Sequence, residues 1–339
     1  MVCRSCGLIQ MNAMNFNNDK QNKPIISLCC ENIPNIPQIS FEGTAEEILY
    51  KFVNKCAKVD SECRNIQNNS KRIFTKGCVN CSQFQPRTYN NDRLIHYINL
   101  SAYPSPCQCR CIYCEVQKNE PDITESVKLF DNIIAVLELA LEQGLIAPDA
   151  RWQISSGEIA IHPYRDRLMK ILKGRNAIFY TNCMKFDEDV AQNLHDNPNS
   201  AINLSIDAGT PETWHKVKGF DNFDKITENL SRYFVNTTRP GQISLKYIIM
   251  PGINDTYEDF TSVVEIMKVL NVKHLTISRD IRNKYSMSEQ DTIDLTGAAA
   301  FLFAILSKNN MTSDMFTYSP EERKLVVEQA NEIIAKQLI

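Results

Sequence analysis

Four cysteines fall within eight residues, Cys107-Gln108-Cys109-Arg110-Cys111-Ile112-Tyr113-Cys114, a run too dense to be explained by core packing. Soft thiolates at this spacing suit an iron–sulfur cluster or zinc. Cys107, Cys111 and Cys114 make a C-x3-C-x2-C set with an aromatic, Tyr113, immediately before its last member. Three thiolates on a four-iron cluster leave one iron without a protein ligand, and an open coordination position is what a metal needs to do chemistry. Cys109 is read as a non-ligand inside the loop. Structural zinc more often pairs C-x2-4-C with distant ligands, and a disulfide knot belongs to secreted chains.

A second group of thiols precedes this run. Cys3 and Cys6 form one C-x2-C and Cys78 and Cys81 another, with the doublet Cys29-Cys30 and the single residues Cys56 and Cys63 between them. C-x2-C lets two sulfurs reach one metal from a tight turn, and a distant matching pair closes a tetrahedron. Cys3, Cys6, Cys78 and Cys81 would suffice for a second metal, with Cys29 or Cys30 able to replace one of them. An iron–sulfur cluster, zinc and free thiols all stay open for this group.

The elements that must position these residues are legible in the hydrophobic pattern. Ala45 to Cys56 has helical apolar spacing behind a Thr44/Glu47 capping box. Asn12 to Asn22 is polar and reads as an exposed loop, and the prolines of Ile33–Pro37 exclude a helix there. From about Leu94 short apolar runs alternate with amphipathic helices, the rhythm of a parallel sheet. Strands are predicted at 96–101, 152–155, 177–181, 201–205, 243–250 and 274–278. Helices are predicted at 124–143, 164–173, 187–195, 211–216, 223–234, 257–270, 292–307 and 321–337. Six strand–helix units imply an α/β fold, a partial six-stranded (β/α)6 barrel with its chemistry at the C-terminal strand ends. Alternation along the fourth strand puts Asn203, Ser205 and Asp207 on one face and Leu204 and Ile206 on the other. Lys246 is a charge within an apolar strand and needs a partner. Arg279 could bind an anionic group on a substrate, with a surface salt bridge as the plainer alternative.

The C-x3-C-x2-C run with its aromatic, placed just after the apolar stretch Leu94–Leu100, resembles the signature of the radical S-adenosylmethionine (radical SAM) enzymes. The resemblance covers roughly residues 93–282, and several strand ends repeat it. It implies a partial barrel, a [4Fe–4S] cluster on Cys107, Cys111 and Cys114, and S-adenosylmethionine bound at the open iron. Reductive cleavage there would yield a 5′-deoxyadenosyl radical that abstracts hydrogen from an unactivated C–H bond. Tyr113 belongs to that cofactor site. The segment Ser156-Gly157-Glu158 is similar to the family's G-G-E motif, which grips the methionyl ammonium. Ser205 and Asp207, in S-x-D-A-G-T-P, would take the ribose hydroxyls, and Asn254, in P-G-x-N-D, would approach the adenosine. Cys183 stands where T-N-G is common in the family and could return a hydrogen atom to a substrate radical, a small buried hydrophobe being the alternative. The early cysteines look like a SPASM or twitch auxiliary module, which usually follows the barrel and here would precede it. The resemblance thus implies dehydrogenation or epimerisation of a peptide or sugar-like metabolite, with flavodoxin or ferredoxin as electron donor. The competing class is a non-enzymatic zinc or iron–sulfur scaffold.

The chain has 339 residues, 43% hydrophobic and 23% charged, an ordinary globular composition with material for a buried core. The expected organisation is a Cys-rich module over 1–92, a core over 93–285 and a helical segment over 286–339. A net charge of −3 and a pI near 6.0, with scattered Lys and Arg, argue against a nucleic-acid-coating protein. No apolar run approaches a membrane span, and the opening Met1-Val2-Cys3-Arg4-Ser5-Cys6 is not a signal peptide. Thirteen cysteines without export signals point to metal binding in a reducing cytoplasm.

Overall fold

Strands buried on both faces read as apolar runs and need helices to cover them, and the structure follows that rule. The computed structural model describes residues 3–6, 8, 11–19, 21, 23–29, 38–67, 84–87, 93–102, 105–114, 123–155, 157–280 and 288–339. The chain divides into two units, residues 1–106 with 120–179, and residues 107–119 with 180–339.

The first unit carries β1 (Cys3–Cys6), β2 (Met14–Asn18), β3 (Pro24–Ser27), β4 (Gln38–Ser40), α1 (Ala45–Gln67), β5 (Phe84–Arg87), β6 (Ile95–Leu100), α2 (Ile123–Glu142), β7 (Ile146–Ile154), α3 (Arg165–Leu172) and β8 (Ala177–Tyr180). β6, β7 and β8 are parallel neighbours. β2 joins β6 in parallel, and β3 and β4 continue outward antiparallel. β1 and β5 pair antiparallel with each other. The expected boundary at residue 92 is therefore crossed by a sheet, since Met14 to Phe16 pair with Ile98 to Leu100. The expected exposed loop at Asn12–Asn22 is corrected as well, because all of β2 is buried. Its asparagines find partners that a hydropathy pattern does not show: Asn15 Nδ2 donates to Ser27 O at 3.2 Å and Asn17 Nδ2 to Ser27 Oγ at 3.4 Å. The Thr44/Glu47 capping box forms, at 3.1 and 3.3 Å. The helix behind it runs past Cys56 to Gln67.

The second unit carries α4 (Glu188–Asp196), β9 (Ala201–Ser205), α5 (Pro211–Lys218), α6 (Phe223–Phe234), β10 (Ile243–Ile249), α7 (Tyr257–Val269), β11 (His274–Arg279), α8 (Glu289–Lys308), β12 (Thr312–Phe316) and α9 (Pro320–Ala335). β9, β10, β11 and β12 lie side by side, all parallel. Thr210 caps α5 with Pro211 in its first turn, the arrangement a fixed proline φ favours. β12 was not expected within 286–339. Its mixed sequence has little strand signal, and pairing with β11 from His274↔Thr312 to Ser278↔Phe316 makes it one. Both units are thus α/β, with parallel pairing throughout β9–β12 and mixed pairing in the first unit.

One face of β9, β10 and β11 is apolar and closed: Ile202, Leu204, Leu245, Tyr247, Leu275 and Ile277 are buried. The opposite face holds Asn203, Ser205, Ser244, Lys246 and Thr276, all half-buried. Among the described residues, no helix is long and apolar enough to cross a membrane.

Candidate functional site

The cysteine loop belongs to the second unit and is pinned to the end of α5. Arg110 N donates to Lys218 O at 2.7 Å and Ile112 N to Val217 O at 3.0 Å. Gly219 makes the approach possible: its φ is +66, and a Cβ there would stand 2.8 Å from Arg110 Cβ, closer than an L-residue tolerates. Cys114 N closes a turn on Cys111 O at 2.9 Å. The Arg110 guanidinium donates to the carbonyls of Cys107 and Cys109, at 3.2 and 3.3 Å.

The four thiols are not equivalent. Cys107, Cys111 and Cys114 are half-buried on the loop, whereas Cys109 is buried. The Cys109 thiol lies 3.4 Å from Met184 Sδ. Hydrogen bonding to Cys107 and Cys111, reinforced by burial, pushes its pKa far up. Cys111 moves the other way, down to about 6, through its hydrogen bond with Cys109 and the nearby Lys218 ammonium, against the opposing effect of burial. Asn182 braces the loop from a different segment, donating to Cys107 Sγ at 3.5 Å and accepting from Gln108 Nε2 at 3.2 Å. This donor set suits a thiolate-ligated cluster: three accessible thiols, one of them inclined to ionise, and a fourth withdrawn into the core. Among the described residues, no three His, Cys, Asp or Glu side chains are gathered tightly enough for a single ion. Thiolates on a multi-iron cluster sit on different irons and so stand wider apart.

Behind the loop is a closed polar knot. Lys218 Nζ donates to Asp207 Oδ2 at 2.6 Å, to Tyr113 Oη at 2.6 Å and to Ser205 O at 2.7 Å. Tyr113 Oη donates to the same Asp207 oxygen at 2.6 Å, and Ile248 N donates to Oδ1 at 2.6 Å. The lysine and aspartate side chains are 3% and 0% exposed. Burial opposes the Lys218 charge most strongly, yet Asp207 and Cys111 carry its pKa above the usual lysine range. Burial first, then the Asp207 charge, holds the Tyr113 phenol well above its ordinary value. The ammonium also sits over the Tyr113 and Trp214 rings, 5.0 and 5.3 Å from their centroids.

The structure gives several of the residues singled out in the sequence partners within the protein. Asp207, expected at the ribose hydroxyls, has both carboxylate oxygens committed inside the protein, and its φ of +46 turns the chain there. Asn254, expected near the adenosine, is a backbone clamp: Nδ2 donates to Asp207 O and Ile248 O, both at 2.8 Å, and Oδ1 accepts from Met250 N at 2.7 Å. Cys183 is 0% exposed, with its carbonyl held by Asn229 Nδ2 at 2.8 Å. Arg279, read as salt-bridged by default with an anionic substrate as the alternative, is bound bidentately by Glu322 at 2.7 and 3.2 Å and donates to Thr317 O at 2.6 Å. No local pattern signalled Lys218, and Asn182 stood out only as the middle of the string read for Cys183. Each acts across a fold-made contact, Lys218 on a tyrosine 105 residues away.

In the first unit, Gly157 and Glu158 close on the segment before the cysteines. Gly157 has φ +66, and a Cβ there would lie 2.3 Å from Ser105 Oγ and 2.5 Å from Pro106 O. Glu158 N donates to Pro106 O at 2.7 Å. Its carboxylate is fully buried and caps the short 3-10 turn Ile159–Ile161, accepting from Ala160 N at 3.2 Å. The expected ammonium acceptor is thus drawn into local capping. Ser205 stays on the half-buried polar face. Ser156, Cys30, Cys78 and Cys81 lie outside the described residues, and of Cys3 and Cys6 only the β1 backbone is described. Cys29 is buried.

Residues 106–266 match the radical SAM superfamily. A "UPF0026 protein" of Helicobacter pylori is 24% identical over 189 residues, which is 53% of this chain and 60% of the relative. A GTP 3′,8-cyclase of Yersinia pestis is 25% identical over 167 residues, 48% of this chain and 49% of that enzyme. The alignments therefore cover half to three-fifths of the length of these relatives. Among solved structures, Streptococcus suis SuiB bound to S-adenosylmethionine superposes with a TM-score of 0.46 at 12% identity, covering 66% of this chain and 50% of that one. Over residues 106–266, just under half of its length, the chain is thus similar to the radical SAM superfamily, whose members use a [4Fe–4S] cluster and S-adenosylmethionine.

Proposed function

We infer that this chain is a radical SAM enzyme whose cluster is held by Cys107, Cys111 and Cys114 in a partial (β/α)6 barrel. The observation that carries the reading is the sorting of the loop's thiols, three half-exposed and Cys109 buried, within the segment that matches the superfamily. When bound, the cluster and S-adenosylmethionine would supply a 5′-deoxyadenosyl radical that abstracts a hydrogen atom from an unactivated C–H bond. The chain's own residues orient and enclose. The Lys218–Asp207–Tyr113 knot sets the position of the loop, and Gly219 lets it pack against α5. The narrow approach of Gly157 to Ser105 and Pro106 holds the turn where the methionyl ammonium would dock. Tyr113, Ser156, Gly157 and Ser205 are assigned to the cofactor, with Glu158 reaching it only if its cap opens.

Anaerobic reconstitution tests this reading. The wild-type protein should bind four irons at this site on the cubane stoichiometry and release 5′-deoxyadenosine with a low-potential reductant. Cys107→Ala, Cys111→Ala and Cys114→Ala should lose that iron, while Cys109→Ala keeps it. Loss of the cluster in Cys109→Ala alone would show that the register is wrong. A second metal on Cys3, Cys6, Cys78 and Cys81, with Cys29 or Cys30, belongs to the same proposal. Residual iron or zinc in the triple cysteine variant reports it. Dehydrogenation or epimerisation of a peptide or sugar-like metabolite, with flavodoxin or ferredoxin as electron donor, is the net chemistry proposed.

A further inference from the structure

The polar face of β9, β10 and β11 has an unmet hydrogen-bonding capacity. Across the parallel register, Asn203 stands beside Ser244, and Ser205, Lys246 and Thr276 form a row over three strands. Adjacent strands lie about 4.8 Å apart, so the row spans roughly 10 Å, the width of a small-molecule subsite. Sheets of this kind are normally apolar on both faces, and here the other face is closed hydrocarbon. Five aligned polar residues, each half-buried, are therefore costly unless something pairs with them.

Two atoms in this patch lack hydrogen-bonding partners. Asn203 Nδ2 donates to Ser244 Oγ at 3.4 Å, but Asn203 Oδ1 is buried with no partner. Lys246 Nζ makes no hydrogen bond or ion pair among the described residues. Its one contact of note is with the Phe316 ring on β12, 5.7 Å to the centroid. Phe316 is itself an exposed aromatic. The neighbouring carboxylate, Asp207, is already bound by Lys218. Burial is the main cause of a pKa below the usual lysine range for Lys246, with Lys218 adding repulsion and Asp207 opposing both.

We propose that Lys246 is the anchor of a substrate subsite on this face, binding an anionic group, a carboxylate or a phosphate, with Asn203 accepting a donor of the same ligand and Phe316 flanking it. The subsite deepens the enzymatic reading above and rests on it for the identification of the ligand as substrate. A half-buried ammonium with no ion-pair partner of its own is an incomplete pair, and an anion completes it while restoring the charge that burial disfavours. Neutral ligands would leave that cost unrelieved.

Protection of Lys246 from acylation tests this without needing the substrate. The reconstituted full-length protein is treated with an acetylating reagent at constant ionic strength in chloride, in inorganic phosphate and in acetate, and modification of each lysine is read by peptide mass spectrometry. Lys246 should be protected at least fivefold by one of the two anions, while exposed Lys216 and Lys324 are unaffected. Protection by phosphate alone assigns a phosphoryl group, by acetate alone a carboxylate, and by both a general anion subsite. Equal modification of Lys246 in all three, or protection of every lysine alike, would overturn the proposal. As a second measurement, the anion that protects should raise the melting temperature of wild-type protein and of Lys246→Arg but not of Lys246→Met. Release of 5′-deoxyadenosine by the wild type reports the radical chemistry alone, so the two readings fail separately.

Discussion

Lys218→Met is the most informative single change at the cysteine loop. It removes an ammonium that is 3% exposed from a carboxylate that is 0% exposed and keeps the chain length and most of the apolar stem. Breaking a buried pair by removing one partner costs about 3–5 kcal/mol, because the remaining charge is left uncompensated. Asp207 would retain the hydrogen bonds from Tyr113 Oη and Ile248 N, both 2.6 Å, which favours the lower end of that range. Thermal unfolding followed by circular dichroism should show a fall of roughly 6 to 20 °C, at about 2–4 °C per kcal/mol for a unit of this size. The pH dependence has a definite sign. The Lys218 pKa is raised above its ordinary 10.5, so its contribution is fully present below 10.5 and is lost as pH rises through the higher folded value. The wild type should therefore lose stability above pH 10.5 more steeply than Lys218→Met. A change below about 1 kcal/mol, the range of exposed pairs, would refute the assignment of this pair as a buried strut.

Two further outcomes are expected. Burial holds His162 down to about 4 from the usual 6.5. Its ring packs edge-on to Phe130 at 4.1 Å between centroids, and Nδ1 accepts from Tyr164 N at 3.2 Å. The folded state thus favours neutral imidazole, with its stabilisation complete above pH 6.5 and lost as pH falls towards 4, in total about 3 kcal/mol. His162→Phe should flatten the acid limb of a denaturation profile between those values, and an unchanged limb would count against the burial argument. Arg279→Met should cost about 3 kcal/mol, since it strands Glu322 near the start of α9. Hydrogen exchange should then quicken across α9 first, and uniform exchange across the unit would speak against a local lock.

Much of this molecule is readable along the chain because it depends on neighbours in sequence. The cap of α5 at Thr210-Pro211, the capping box before α1 and the alternation along β9 each follow from residues within a few positions of one another. The C-x3-C-x2-C spacing with Tyr113 is local in the same sense, and it lies in the segment that matches the radical SAM superfamily. What tertiary structure decided are the pairings between distant residues. Burial of Cys109 against Met184, 75 residues on, selects which thiols face outward. Asp207 carries the family string, yet Lys218 and Tyr113 draw it inward, because a carboxylate at the strand end binds the nearest buried donors. β2 and β12 become strands through edges offered by β6 and β11, which outweigh a polar local sequence. Periodicity reports which side of an element is apolar, and only the folded chain determines what each polar group on the other side can reach.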